Sequence, residues 1–142
     1  MKRFGMITSA LFAAFLSQSV AEAGTVTARI DISSQTMTVS ENGFPIHRWK
    51  VSTARKGYVT PVGSYRAYFA SRHHRSRKYD NAPMPFAIFF KGGYAVHATY
   101  DLKRLGRPAS HGCIRLHPDN AAIFFRLAKQ AGLANTRVII TR

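Results

Sequence analysis

From Thr25 to Ile32 the apolar side chains fall on every second position: Val26, Ala28, Ile30 and Ile32 alternate with Thr27, Arg29 and Asp31. A period of two sends successive side chains to opposite faces of an extended chain, so this stretch predicts a half-buried strand. Thr36–Ser40 repeats the pattern with Met37 and Val39. Asn42–Gly43 follows, a pair that accepts positive φ at both central positions of a tight hairpin, and Phe44, Ile46 and Trp49 continue on the return strand.

The rest of the chain keeps this character. Gly57 and Thr60–Pro61–Val62–Gly63 punctuate a loop before a strand expected over Ser64–Ala70. The basic run Arg72–Lys78 and Asn81–Ala82–Pro83–Met84–Pro85 predict a long, proline-marked connection. Phe86–Phe90 and Tyr94–Thr99 read as a strand pair across Lys91–Gly92–Gly93, and Arg137–Thr141 as a closing strand. Only one segment is clearly helical. His117 or Asp119 caps it, Pro118 fits its first turn, Ala121, Phe124, Phe125 and Ala128 recur at helical spacing, and Gly132 stops it. Many short strands, one helix near the C-terminus and no βαβ alternation predict a mainly-β domain of sandwich or barrel-like form. No internal repeat or linker interrupts it.

The N-terminus differs in kind. Lys2 and Arg3 precede the apolar run Met6–Leu16, polar Ser17–Gln18–Ser19 and then Ala21–Glu22–Ala23, the order of a secretory signal peptide. Its apolar run is too short to cross a hydrocarbon layer of roughly 30 Å. Residues 1–23 are therefore read as a cleaved signal, and residues 24–142 as one exported catalytic-size domain with no transmembrane span. Removing the signal leaves a net charge of +14. Such a charge favours an anionic partner. Export argues against nucleic acid and for anionic wall material or a membrane surface.

Export also makes the cysteine count informative. Cys113 is the sole cysteine in 142 residues, so it has no partner for a disulfide within the chain. A thiol becomes a nucleophile when a base generates or stabilises its thiolate, and acyl transfer needs N–H donors aimed at the developing oxyanion. Ser110–His111–Gly112–Cys113 offers a glycine-containing turn whose N–H groups can converge beside the sulfur. His97 ends an expected strand, and the loop through Gly106 and Pro108 is long enough to return the chain to it.

These residues resemble the signature of the YkuD-type L,D-transpeptidase catalytic domain, in which an upstream histidine is followed by Ser/Thr-His-Gly-Cys, an aliphatic residue and arginine. Here that reads His97, Ser110, His111, Gly112, Cys113, Ile114 and Arg115. Thr60–Pro61–Val62–Gly63–Ser64–Tyr65 is similar to a second family segment, and Met84–Pro85–Phe86 to the stretch lining its substrate groove. The resemblance implies that Cys113 attacks the third residue of a peptidoglycan tetrapeptide stem and releases D-alanine. His97 would serve as base and then acid, held by the backbone carbonyl of Ala98, with the N–H groups of Gly112 and Cys113 as oxyanion hole. An amine then takes the acyl group, either from a diaminopimelate residue or from an outer-membrane or other envelope protein. No cofactor or metal is implied, and the periplasm is the expected location. Two positions depart from the family pattern: Ala98 stands where glycine is frequent, and Leu116–His117–Pro118–Asp119–Asn120 where asparagine often follows the arginine.

Other roles stay open at this level. His111 is either a second base or an orienting group in the turn, and Ser110 is expected to hold the turn by hydrogen bonds. Arg115 either binds a substrate carboxylate or pairs with a buried acid. Tyr79, Met84 and Phe86 line a groove or fill the core. His73 and His74 are neighbours in an extended segment and face opposite ways, so they carry no metal assignment. Water as acceptor would make the same site an L,D-carboxypeptidase or endopeptidase, and loss of turnover would leave a wall-binding protein.

Overall fold

The computed structural model describes residues 24–142; the expected signal peptide lies outside the described residues. The expected alternation becomes β1 (Val26–Asp31), which pairs antiparallel with β2 (Thr36–Glu41). β2 continues into β3 (Phe44–Lys50) through Asn42 and Gly43, at φ 51° and 83°. β9 (Thr136–Thr141) lies parallel to β1 on its other side and pairs antiparallel with β4 (Gly63–Arg66). The first sheet therefore runs β3-β2-β1-β9-β4.

A second sheet runs β5-β6-β7-β8, built from β5 (Phe69–Arg75), β6 (Pro83–Lys91), β7 (Tyr94–Ala98) and β8 (Ile114–Leu116). The strand expected over Ser64–Ala70 is divided because the chain changes sheets there. Ala67 N–H donates to Thr136 O in the first sheet, and Tyr68 N–H to Phe89 O in the second. The basic run expected as a loop begins instead on edge strand β5, where Arg72–Arg75 put charge on an edge open to unwanted pairing. Pro83 and Pro85 lie in β6 itself, in the part that β5 pairs and β7 does not reach. A missing N–H on that open side costs no ladder bond.

The helix α1 (Pro118–Ala131) starts with Asp119 N–H donating to His117 Nδ1, 3.1 Å away. It ends at Gly132, φ 91°, whose N–H caps Ala128 O. Its apolar stripe buries Ala121, Phe124, Phe125, Leu127 and Ala128 in one core with Val26, Ile30, Val39, Val138 and Ile140 of the first sheet and Ile88, Val96, Ile114 and Leu116 of the second. Each fully buried large side chain there contributes about 1.5–3 kcal/mol. The domain is mainly β, with two sheets sharing that core.

β6 contains a break in alternation that bears on the site. Ile88 and Phe90 face the main core, while Ala87 and Phe89 belong to a smaller apolar cluster on the opposite face. Strict alternation would send Met84 to the main core. Phe86 adopts φ 54°, a left-handed conformation rare for a bulky residue, and Met84 joins Ala87, Phe89 and Ala95 instead.

Candidate active site

β7 and β8 are parallel and pair Val96 with Ile114, His97 with Arg115 and Ala98 with Leu116. Val96, Ala98, Ile114 and Leu116 face the main core. The intervening residues face the other way, so Ala95, His97, Cys113 and Arg115 share the outer surface of the pair. Fifteen residues, 99–113, return the chain from one strand to the other, and strand parity then sets cysteine, histidine and arginine side by side. A cavity of about 750 Å³ opens on this surface and is lined by His97, Ser110, His111, Cys113 and Arg115 together with Tyr79 and Met84. Phe86 is not part of it. Its ring meets Phe125 edge-on at 5.7 Å and packs on the main core, the second of the two places the sequence left open for it.

His97 is buried, and its Nδ1 lies 2.7 Å from Ala98 O. A carbonyl can only accept, so Nδ1 carries the proton and Nε2 keeps the free lone pair. Burial pushes the imidazole pKa down to about 4, against the opposing pull of the Ala98 carbonyl. The ring is thus neutral near pH 7. Burial also pushes the Cys113 thiol up; the Ala95 backbone contact and the Arg115 charge oppose this. Both effects favour the neutral forms, a thiol and an unprotonated imidazole.

The turn bearing Cys113 is held from several sides. Ser110 Oγ donates to Cys113 O at 2.6 Å and accepts from Gly112 N–H at 3.0 Å. Gly112 N–H, expected from the resemblance to face an oxyanion, here donates to Ser110 Oγ. Among the described residues the Cys113 N–H has no internal acceptor, which leaves it available. Gly112 is required for another reason. At φ 132°, a Cβ here would come within 2.6 Å of Tyr94 Cε1 and 2.7 Å of Val59 O.

Several supporting groups carry no motif that marks their role. Thr60 Oγ1 donates to Gly112 O at 2.8 Å and accepts from Ala54 N–H at 2.9 Å, so its place in the Thr-Pro-Val-Gly segment has a structural cause. Thr53 O accepts from both Ala109 and Ser110 N–H, and Arg55 N–H donates to Ser110 O. Thr53 is itself fixed by buried Gln35, whose Oε1 accepts from Thr53 N–H at 2.9 Å. Nothing local in the sequence links Gln35 to Thr53.

His111 packs its ring on Tyr79, with centroids 4.0 Å apart, and on Tyr58 at 4.6 Å. Partial burial, then the charges of Arg55, Arg115 and Lys78, push its pKa down. His111 and Tyr79 thus form one aromatic wall of the cavity. His74 sets its ring edge-on to Phe89 at 4.8 Å.

The profile of the YkuD L,D-transpeptidase catalytic domain matches residues 25–140. L,D-transpeptidase 1 of Mycobacterium tuberculosis is 32 % identical over 108 residues, which cover 66 % of this chain and 43 % of that protein. An L,D-transpeptidase structure from Mycobacterium tuberculosis superposes with a TM-score of 0.75 at 27 % identity, covering 84 % of this chain and 58 % of the other. L,D-transpeptidase 3 of the same organism, solved in complex with a faropenem-derived adduct, gives a TM-score of 0.72 at 25 % identity, over 84 % of this chain and 61 % of the other. The chain thus spans less than two thirds of the length of each of these relatives. From the alternating strands to the cysteine turn, the chain belongs to the family of YkuD-type L,D-transpeptidase catalytic domains.

Proposed function

We propose that this domain is an exported L,D-transpeptidase acting on peptidoglycan stem peptides, with Cys113 as nucleophile and His97 as its base. The observation that carries this reading is the Nδ1–H bond of His97 to Ala98 O, which leaves Nε2 as the free base on the surface shared with Cys113. Sγ attacks the carbonyl of the third stem residue while Nε2 takes the thiol proton. The Cys113 N–H stabilises the oxyanion. As the C–N bond breaks, His97 returns that proton to the leaving amine and D-alanine departs. A thioester remains. An incoming amine attacks it, gives its proton to His97 and ends as an amide, while sulfur regains a proton. Ser110 and His111 hold the turn and the wall, and Tyr79 and Met84 line the donor groove.

Export to the periplasm is inferred from the signal-like residues 1–23, and the basic domain suits an anionic wall. A stem peptide or an envelope protein serves as acceptor. Faropenem leaves an adduct on a relative, so a penem or carbapenem is a suitable probe. Incubation of residues 24–142 with such a drug should add one covalent adduct, on Cys113, and Cys113→Ala should add none. An adduct that persists in Cys113→Ala overturns the assignment. With purified disaccharide-tetrapeptide, a cross-linked dimer supports transpeptidation, tripeptide alone supports hydrolysis, and no product supports wall binding without turnover.

A further inference from the structure

Arg115 is a buried-side cation without a use in the mechanism above. It is half-buried, lines the cavity and faces the same way as Cys113. Among the described residues its guanidinium makes no ion pair within 4.0 Å. Asp101 also lines the cavity and its charge reaches Arg115, but it pairs with Arg104, its Oδ2 3.2 Å from Arg104 Nε. The Arg115 backbone is fixed on both sides. Its N–H donates to Ser52 O at 2.9 Å, its carbonyl accepts from Ser52 N–H at 3.0 Å, and it stands in register with His97 across the β7–β8 pair. A guanidinium held beside the base with no ion pair of its own can take an anion from a ligand.

Donor chemistry says where an anion falls. The nitrogen that leaves is bonded to the carbonyl attacked by sulfur, and it must face His97 to receive a proton. In a tetrapeptide stem that nitrogen belongs to the terminal residue, whose carboxylate carbon lies only two bonds further on. Arg115 is the residue paired with His97, two positions along an extended segment from Cys113, roughly 6.6 Å. We propose that Arg115 is the receptor for the α-carboxylate of the residue that leaves, so that the site measures donor length by requiring a chain end one residue beyond the attacked carbonyl. This rests on the transpeptidase reading and adds to it a specificity-determining residue. A donor one residue longer carries its charge past the guanidinium and leaves an uncharged amide there.

The test compares two tetrapeptide donors, one ending in a free carboxylate and one in a carboxamide, by release of the terminal residue. The wild type should prefer the carboxylate donor in kcat/KM by on the order of 10²-fold, the size of one charge-assisted contact. Arg115→Gln should bring the ratio to about 1 by slowing the carboxylate donor. Arg115→Lys should keep an intermediate ratio, because charge remains and the planar fork is lost. Lys78→Gln, which removes another cation of the cavity wall, should keep the preference; thermal unfolding of each variant checks its fold. A preference that survives in Arg115→Gln, or vanishes equally in Lys78→Gln, overturns the receptor. Equal release from both donors by the wild type overturns it too, but leaves the transpeptidase reading standing. Release from neither overturns that reading and the receptor with it.

Discussion

The two faces of the β7–β8 pair show how one short piece of sheet divides its duties. Toward the core, Val96, Ala98, Ile114 and Leu116 are at most 1 % exposed and do nothing but fill space. Toward the cavity, His97, Cys113 and Arg115 sit one residue out of step and present an imidazole, a thiol and a guanidinium. Stability and chemistry are therefore separated by strand parity alone. A slip of one residue would exchange them, sending an imidazole and a thiol into the core. The register is guarded accordingly, by the double bond pair of Ser52 with Arg115 and by Thr53 O on Ala109 and Ser110.

The comparison can be broken from either face. The largest effect is expected from His97→Gln on the cavity face: acylation of Cys113 should slow by about 10²–10⁴-fold, read by drug-adduct kinetics, with the unfolding midpoint little changed. On the core face, Ile114→Ala should cost about 3–4 kcal/mol in denaturant unfolding while the folded fraction acylates at nearly the wild-type rate. Acid sharpens the contrast. His97 is protonated near 6.5 when unfolded and only near 4 when folded, so its contribution is intact above pH 6.5 and falls away as pH drops toward 4. Across that window the wild type should lose up to about 3 kcal/mol relative to His97→Gln, measured by unfolding at stepped pH. The smallest effect belongs to a support shared by both faces. Thr60→Val strands Gly112 O and Ala54 N–H, and should cost about 2 kcal/mol together with a slower acylation rate.

His97, Ser110, Gly112, Cys113 and Arg115 were legible in the sequence because a turn motif and strand alternation are local patterns. The first hairpin and α1 were legible for the same reason, through Asn42–Gly43 and the stripe at Ala121, Phe124 and Phe125. What failed to show depended on contacts made at a distance. Met84 leaves the face that alternation assigns it because Phe86 is left-handed, which alternation cannot foresee. The strand expected over Ser64–Ala70 divides because its two ends find partners in different sheets. Gly112 N–H is claimed by Ser110 Oγ, a choice fixed only once the turn has closed. Gln35 reaches Thr53 across 18 residues, with nothing in either neighbourhood to announce it.

The place of β9 carries a consequence for how the domain is made. It is the final strand of the first sheet in sequence, yet it lies between β1 and β4 and, among the described residues, is the sole link joining the β3-β2-β1 meander to β4. The register of Val26 with Thr136 closes over nearly the whole domain. A chain synthesised or threaded from its N-terminus therefore cannot complete this sheet until residues 136–141 arrive, and loop closure of that span makes the step slow. Until then the core that α1 and the second sheet share with β1 lacks Val138 and Ile140.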